Sequence, residues 1–268
     1  MFKPKKTLYT LNLNPEDYRE ITDMTYPLLK HYAVKCGAEF YEIKERKFET
    51  EGWPANYEKF QVYDLARARE DEWSIFFDCD ALIHPNTPDF TEIVPKDTCL
   101  HNGADFSPFR FKKDRFYMRD GRHVGSATWC CICSDWCIEM MEPCRDMTPS
   151  EVEDMIFPTA DELKRGVTPI RLVEDFLIGR NIAKYGLKFK MIKTVMKEWE
   201  VENAQMFYHV YAIPKVEKIF KMAEIYKVWG FELPESVKLA LAPPTPPALP
   251  TPIPPTPQEE PPIQPEFA

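Results

Sequence analysis

The stretch Ser74-Ile75-Phe76-Phe77-Asp78-Cys79-Asp80-Ala81-Leu82-Ile83 sets the reading of the whole chain. Ser74–Phe77 is a short apolar run without polar alternation, as expected of a buried strand. It ends in two carboxylates at i and i+2. A continuing strand places both on one face and a turn fans them around one point, so either way they converge at a strand's carboxyl end. Two acids there repel unless a cation or a proton offsets them. A hard divalent ion with oxygen ligands and open positions for phosphate meets that need. The plainer alternative is a pair of solvated acids opening a loop.

Working outward, strands and helices alternate on both sides of this stretch. Lys6–Leu13 reads as an opening strand and Glu39–Ile43 as a second. Between them, Asn14-Pro15-Glu16-Asp17 reads as an N-cap, a proline at N1 and a negative first turn. That helix is expected to run towards Tyr26, to break or restart at Pro27, and to stop at Gly37. Residues 56–70 and 171–185 read as helices, with Gly186 stopping the second. Residues 128–133, 187–192 and 206–211 read as strands, residues 134–141 as helical, and Pro214 opens a helix to Val228. This pattern predicts an α/β fold, a Rossmann-type mixed, mainly parallel sheet with helices on both faces. Ligands in such sheets sit at the carboxyl ends of strands.

The composition changes sharply near residue 242. Twelve of the 26 residues from Pro243 to Ala268 are proline, which favours extended polyproline II and cannot form a core. The expected organisation is one domain over 1–241 and a flexible proline-rich tail over 242–268. The tail reads as a spacer, or as a ligand for a proline-reading partner. The chain has 268 residues, 44% hydrophobic, enough for a sizeable core and too apolar for a mostly disordered protein. No apolar run approaches the roughly 20 residues of a membrane-spanning helix. The opening Met1–Lys6 carries no apolar signal segment, so the expectation is a cytoplasmic protein with reduced thiols. Eight cysteines fit that expectation. Cys130, Cys131, Cys133 and Cys137 cluster, but without a pair of C-x-x-C motifs, so structural zinc is the minor reading.

A second feature is His209-Val210-Tyr211-Ala212-Ile213-Pro214-Lys215. His209 near the end of an apolar strand could complete a metal shell with a neutral nitrogen, or be a satisfied structural histidine. Lys215 at a helix start could meet phosphate oxygens. A third is Glu174-Asp175, two acids opening an apolar helix, where they complement the helix dipole or do chemistry.

Together these residues resemble nucleotide-sugar-dependent glycosyltransferases of the GT-A fold. The opening strand Leu8-Tyr9-Thr10 looks like their nucleotide-binding start. Trp53-Pro54 through Lys59 and Phe60 is similar to the segment before their metal motif. Asp78-Cys79-Asp80 matches their Asp-x-Asp, and His209 with Lys215 has the His-x5-Lys spacing of the family 8 type, with Ala212 where that pattern has glycine. The resemblance spans roughly residues 6–220.

It implies Mn²⁺ or Mg²⁺ held by Asp78, Asp80 and His209, with Asp78 also facing the ribose. It implies a nucleotide diphosphate sugar, by default a UDP-sugar, near Thr10, Asn12, Lys59 and Lys215. It implies that Asp175, or else Glu174, binds or deprotonates the acceptor hydroxyl. Asp105, Ser126 and Trp129 lie at loop-to-strand joins where they could line a sugar pocket, with Trp129 stacking on a sugar face.

Net charge −9 argues against a general nucleic-acid coat, but residues 109–123 hold six Lys/Arg against two Asp, interleaved with aromatics. Arg110, Lys112, Lys113 and Arg115 read as a solvated loop or as a grip on an anionic acceptor, a glycan or a modified DNA base. Two other classes use the same residues: a metal-dependent nucleotidyltransferase, and a non-catalytic nucleotide-sugar-binding module. The nine glycines form neither a G-x-G-x-x-G nor a P-loop, which weighs against the first.

Overall fold

A computed structural model describes residues 4–101, 104–105, 125–126, 129–156, 158, 160–198, 206–210 and 213–242. The proline-rich stretch 243–268 and the basic segment 109–123 lie outside the described residues, and with them Arg110, Lys112, Lys113 and Arg115.

The central sheet has six strands: β1 (Lys6–Leu11), β2 (Glu39–Ile43), β3 (Trp73–Phe77), β5 (Thr98–His101), β8 (Cys130–Ser134) and β9 (Lys188–Met191). Their order is β2-β1-β3-β8-β5-β9. β1 pairs parallel with β2 and β3, β5 pairs parallel with β9, and β8 runs antiparallel to both β3 and β5. Five strands therefore point one way, and the mixed, mainly parallel α/β sheet expected from the sequence is present. All five residues of β3 are buried, because the strand has a neighbour on each side and a layer on each face.

Side chains alternate across this sheet. Leu8, Ile75, Phe77, Leu100 and Ile132 face α1 (Arg19–Cys36), α3 (Phe90–Ile93) and α7 (Ile192–Glu198). Tyr9, Phe76, Cys99, Cys131 and Cys133 face α2 (Gln61–Arg69), α4 (Pro149–Glu153) and α6 (Val173–Tyr185). A further short helix, α5 (Ala160–Lys164), lies before α6. A third layer packs Ile21, Met24 and Leu28 of α1 against α8 (Lys215–Val228) and α9 (Glu235–Leu241). Among the described residues there are also two short antiparallel ribbons: β4 (Leu82–Ile83) with β10 (Phe207–Tyr208), and β6 (Ala104–Asp105) with β7 (Gly125–Ser126).

Three local expectations need correction. Asn14 does not cap the first helix: its carbonyl accepts from Tyr18 N at 3.1 Å in a preceding turn, and α1 begins at Arg19. Pro27 neither breaks nor restarts the helix but lies inside it. The lost hydrogen bond is tolerated because α1 is clamped on both flanks, by the sheet through Leu29, Tyr32 and Ala33 and by α8 and α9 through Ile21, Met24 and Leu28. Residues 134–141 form only a short 3-10 turn over Ile138–Met141.

Gly37 ends α1 as expected, at φ +65°, with its N–H donating to Val34 O and Ala38 N–H donating to Ala33 O. A Cβ there would meet nothing within 4 Å, so Gly37→Ala is expected to cost about 1 kcal/mol through backbone strain alone, read from urea denaturation.

All eight cysteines are free and buried. Strand alternation turns Cys130 to one face of the sheet and Cys131 and Cys133 to the other, so the cluster does not converge on one point. Among the described residues no helix is long and apolar enough to cross a membrane.

Candidate metal centre

The apolar β3 delivers Asp78 and Asp80 to the carboxyl end of the sheet. The turn that follows is fixed by its backbone: Asp78 N donates to Trp129 O at 2.8 Å, and Ala81 N donates to Asp78 O at 3.1 Å. Thr25 of α1 donates to the Cys79 carbonyl. Asp80 is buried as a result, whereas the Asp78 side chain keeps 24% of its exposure.

His209 reaches the same turn through the β4–β10 ribbon. Phe207 pairs with Ile83 and Tyr208 with Leu82, so the next residue lies level with the Asp-x-Asp turn. His209 Nε2 is 3.2 Å from Asp80 Oδ1 and 3.8 Å from Asp78 Oδ2. Behind it the Trp129 ring stacks at 5.3 Å between centroids, and Trp129 packs in turn on Phe77 and Phe207.

One ligand atom from each of Asp78, Asp80 and His209 lies within 4.8 Å of the others, and among the described residues this is the single group of its kind. Two carboxylate oxygens and one imidazole nitrogen, gathered on one side, fit a divalent ion with positions left for water or phosphate. The four clustered cysteines give no such group.

Lys218 of α8 completes the centre, and the sequence reading passed over it. Its ammonium pairs with Asp80 Oδ2, next to Tyr18. Burial alone would raise the Asp80 carboxyl, but His209 and Lys218 more than reverse this and hold it well below the usual carboxylate range. Lys215, which the motif spacing singled out, pairs instead with Glu20 of α1 at 3.0 Å and is partly exposed. A signal for Lys218 was present: it shares a helical stripe with Met222 and Tyr226, all buried, and a lysine in a buried stripe needs an acid.

On the other side of Asp78 stands Lys59, 1% exposed, 3.2 Å from Asp78 Oδ1 and 2.8 Å from Glu174 Oε2. The 3-10 turn Ala55–Phe60 that carries it is pinned by its neighbours. Trp53 stacks on Tyr57 at 4.1 Å, Tyr57 Oη accepts from Cys144 N, and the buried Glu58 carboxylate accepts from Lys47 N and Phe48 N. Burial alone would lower the Lys59 ammonium, and the facing acids reverse that, so it stays charged.

Glu174 and Asp175 occupy the first turn of α6, and both side chains are largely buried. Burial pushes Glu174 up to about 7; Lys59 offsets part of the rise, while Asp78 and Asp175 add to it. A carboxyl raised from 4.5 to about 7 on folding binds its proton more tightly in the folded chain, so this stability is complete below pH 4.5 and is lost as the pH rises through about 7. In the metal-free protein, Glu174→Gln is therefore expected to gain melting temperature relative to the wild type as the pH rises from 4.5 to 8. Parallel curves for the two proteins would refute this.

Thr10 and Asn12 follow at the carboxyl end of β1. Asn12 Nδ2 and Tyr26 Oη both donate to Glu42 Oε1, while Thr10 Oγ1 and Asn12 Oδ1 are buried without a hydrogen-bond partner. The Thr10 hydroxyl can donate or accept and Asn12 Oδ1 can accept, so both hold unused hydrogen-bonding capacity. Asp105 and Ser126 lie on the facing strands β6 and β7, where Asp105 pairs with Gly125 and Ala104 with Ser126. The sequence also gave no reason to single out His101, a fully buried residue at the end of β5. Neither ring nitrogen has a partner, and burial pushes its pKa down to about 4.

No family model and no curated protein matches the sequence. The solved structures that match this chain include the following two. One is a glycosyltransferase involved in the glycosylation of the major capsid of PBCV-1, 14% identical, with TM-score 0.46, covering 82% of this chain and 100% of that one. The other is A197 from STIV, 14% identical, with TM-score 0.31, covering 50% of this chain and 67% of that one.

Proposed function

We propose that this protein is a metal-dependent glycosyltransferase that moves a sugar from a nucleotide diphosphate sugar to an acceptor hydroxyl or base. The observation that carries the reading is the meeting of Asp78, Asp80 and His209 at the carboxyl end of the sheet, with ligand atoms within 4.8 Å of one another. The sequence resemblance to GT-A enzymes, which rests in part on the same residues, agrees with this reading.

Asp78, Asp80 and His209 would hold Mn²⁺ or Mg²⁺. When bound, that ion supplies positive charge to a leaving diphosphate. The chain's own residues do the rest. Trp129 fixes the plane of the His209 ring. Thr10 Oγ1 and Asn12 Oδ1, buried without partners, would offer hydrogen-bonding oxygens to a nucleobase. Lys59 ties Asp78 to Glu174 and so sets the acid pair at a fixed distance from the Asp-x-Asp turn. Glu174, raised to about 7, and its neighbour Asp175 are poised to take the proton of an acceptor, Asp175 being the preferred base. Lys215, the first residue of α8, is paired with Glu20, so the positive charge at the centre comes from Lys218. The basic segment 109–123 points to an anionic acceptor.

The test is a melting-temperature screen of nucleoside diphosphates with and without Mn²⁺, followed by mass analysis of nucleotide-sugar incubations. A Mn²⁺-dependent shift with UDP and release of free sugar plus nucleoside diphosphate are expected. Absence of a shift with any nucleoside diphosphate in Mn²⁺ would sink the reading, and release of the nucleoside monophosphate would replace it with nucleotidyl chemistry.

A further inference from the structure

The centre carries a cation of its own. Lys218 reaches Asp80 Oδ2 from α8, while His209, the residue after β10, faces Oδ1 of the same carboxylate. Lys218 is buried, and it is set there by packing: Ile219, Met222 and Ala223 of α8 pack on Ile21, Met24 and Leu28 of α1 and on Leu82, two residues past Asp80. It is a fixed part of the centre rather than a swinging surface lysine.

We propose that Lys218 makes binding of the divalent ion conditional on an anionic diphosphate arriving with it. The inference rests on the metal-centre reading above and deepens it. Asp78, Asp80 and the Glu174 that Lys59 links to Asp78 bring three negative charges, and Lys59 and Lys218 leave one uncompensated. A divalent ion alone turns the centre to one net positive charge, with an ammonium held beside it on a shared carboxylate in a buried setting. A nucleoside diphosphate brings at least two negative charges and returns the balance. Ion and diphosphate therefore bind with positive coupling, and by linkage each tightens the other by the same factor. An acid-only centre without the lysine would take the ion alone and gain less from the anion. Lys215 does not serve this role, because it is engaged with Glu20.

The experiment measures Mn²⁺ affinity by electron paramagnetic resonance on the full chain, alone and with saturating UDP. Wild-type protein is expected to bind Mn²⁺ at least about tenfold more tightly with UDP than without. Lys218→Met is expected to bind Mn²⁺ alone about tenfold more tightly than wild type and to show a smaller UDP effect; Lys218→Arg, which keeps the charge, behaves as wild type. Equal Mn²⁺ affinity of Lys218→Met and wild type without UDP overturns the proposal, as does failure of both proteins to bind Mn²⁺ even with UDP. Should Lys218→Met not fold, the wild-type measurement decides alone, since Mn²⁺ affinity indifferent to UDP also overturns it. Tighter Mn²⁺ binding by Lys218→Met together with no sugar release from any nucleotide sugar leaves this inference standing and removes the transferase reading instead.

Discussion

Asp80→Asn is expected to lower metal-dependent turnover of a nucleotide sugar by about a thousandfold and to abolish measurable Mn²⁺ binding. Asp80 is buried and touches both His209 and Lys218, so it anchors the candidate centre from two sides. Asparagine keeps the shape but removes the charge that a hard ion needs. An ion at a leaving diphosphate contributes several kcal/mol of transition-state stabilisation, and about 4 kcal/mol corresponds to that thousandfold. The measurement is kcat for sugar release at saturating Mn²⁺, with circular dichroism to verify the fold. Activity within tenfold of wild type would remove Asp80 from the centre.

Lys59→Met is expected to be the most destabilising single change at the site, by about 3–5 kcal/mol in urea denaturation. Lys59 is almost wholly buried and is the cation between Asp78 and Glu174. Methionine fills the space but leaves Asp78 without its buried cation and drives Glu174 further towards its protonated form, and the penalty comes from this lost compensation rather than from lost packing. Two further measurements separate charge from packing. Glu174→Gln in the Lys59→Met background should recover part of the loss at pH 8, because glutamine needs no proton to be neutral there. Mn²⁺ should also recover part, because the ion neutralises Asp78. A loss below about 1 kcal/mol, or no recovery from either, would show that Lys59 is not the electrostatic link between the two halves of the site.

Much of this was legible locally. The apolar run into Asp78-Cys79-Asp80 was readable because a doubly covered strand excludes polar side chains and its end does not. Gly37 and Gly186 were readable as helix stops because both adopt φ +65°, which other residues avoid. Pro214 was readable as the entry to α8 because proline suits a helix start. Local reasoning failed at Pro27, where the rule against proline inside a helix lost to packing on two flanks. It failed at Lys218 as well, because motif spacing drew attention to Lys215 three residues earlier while the direction of α8's buried stripe decided which lysine meets the acid.

The sequence by itself determined the α/β alternation, the acid pair at the end of a buried strand and a histidine fit to join it, because these follow from solvation and steric limits acting within a few residues. Only the tertiary structure decided the company those residues keep. His209 arrives at Asp80 because β10 pairs antiparallel with β4. Lys218 arrives because α8 packs on α1, and Glu174 because Lys59 bridges it to Asp78. Each meeting joins segments distant along the chain, and its geometry depends on register and packing that no short stretch of sequence encodes.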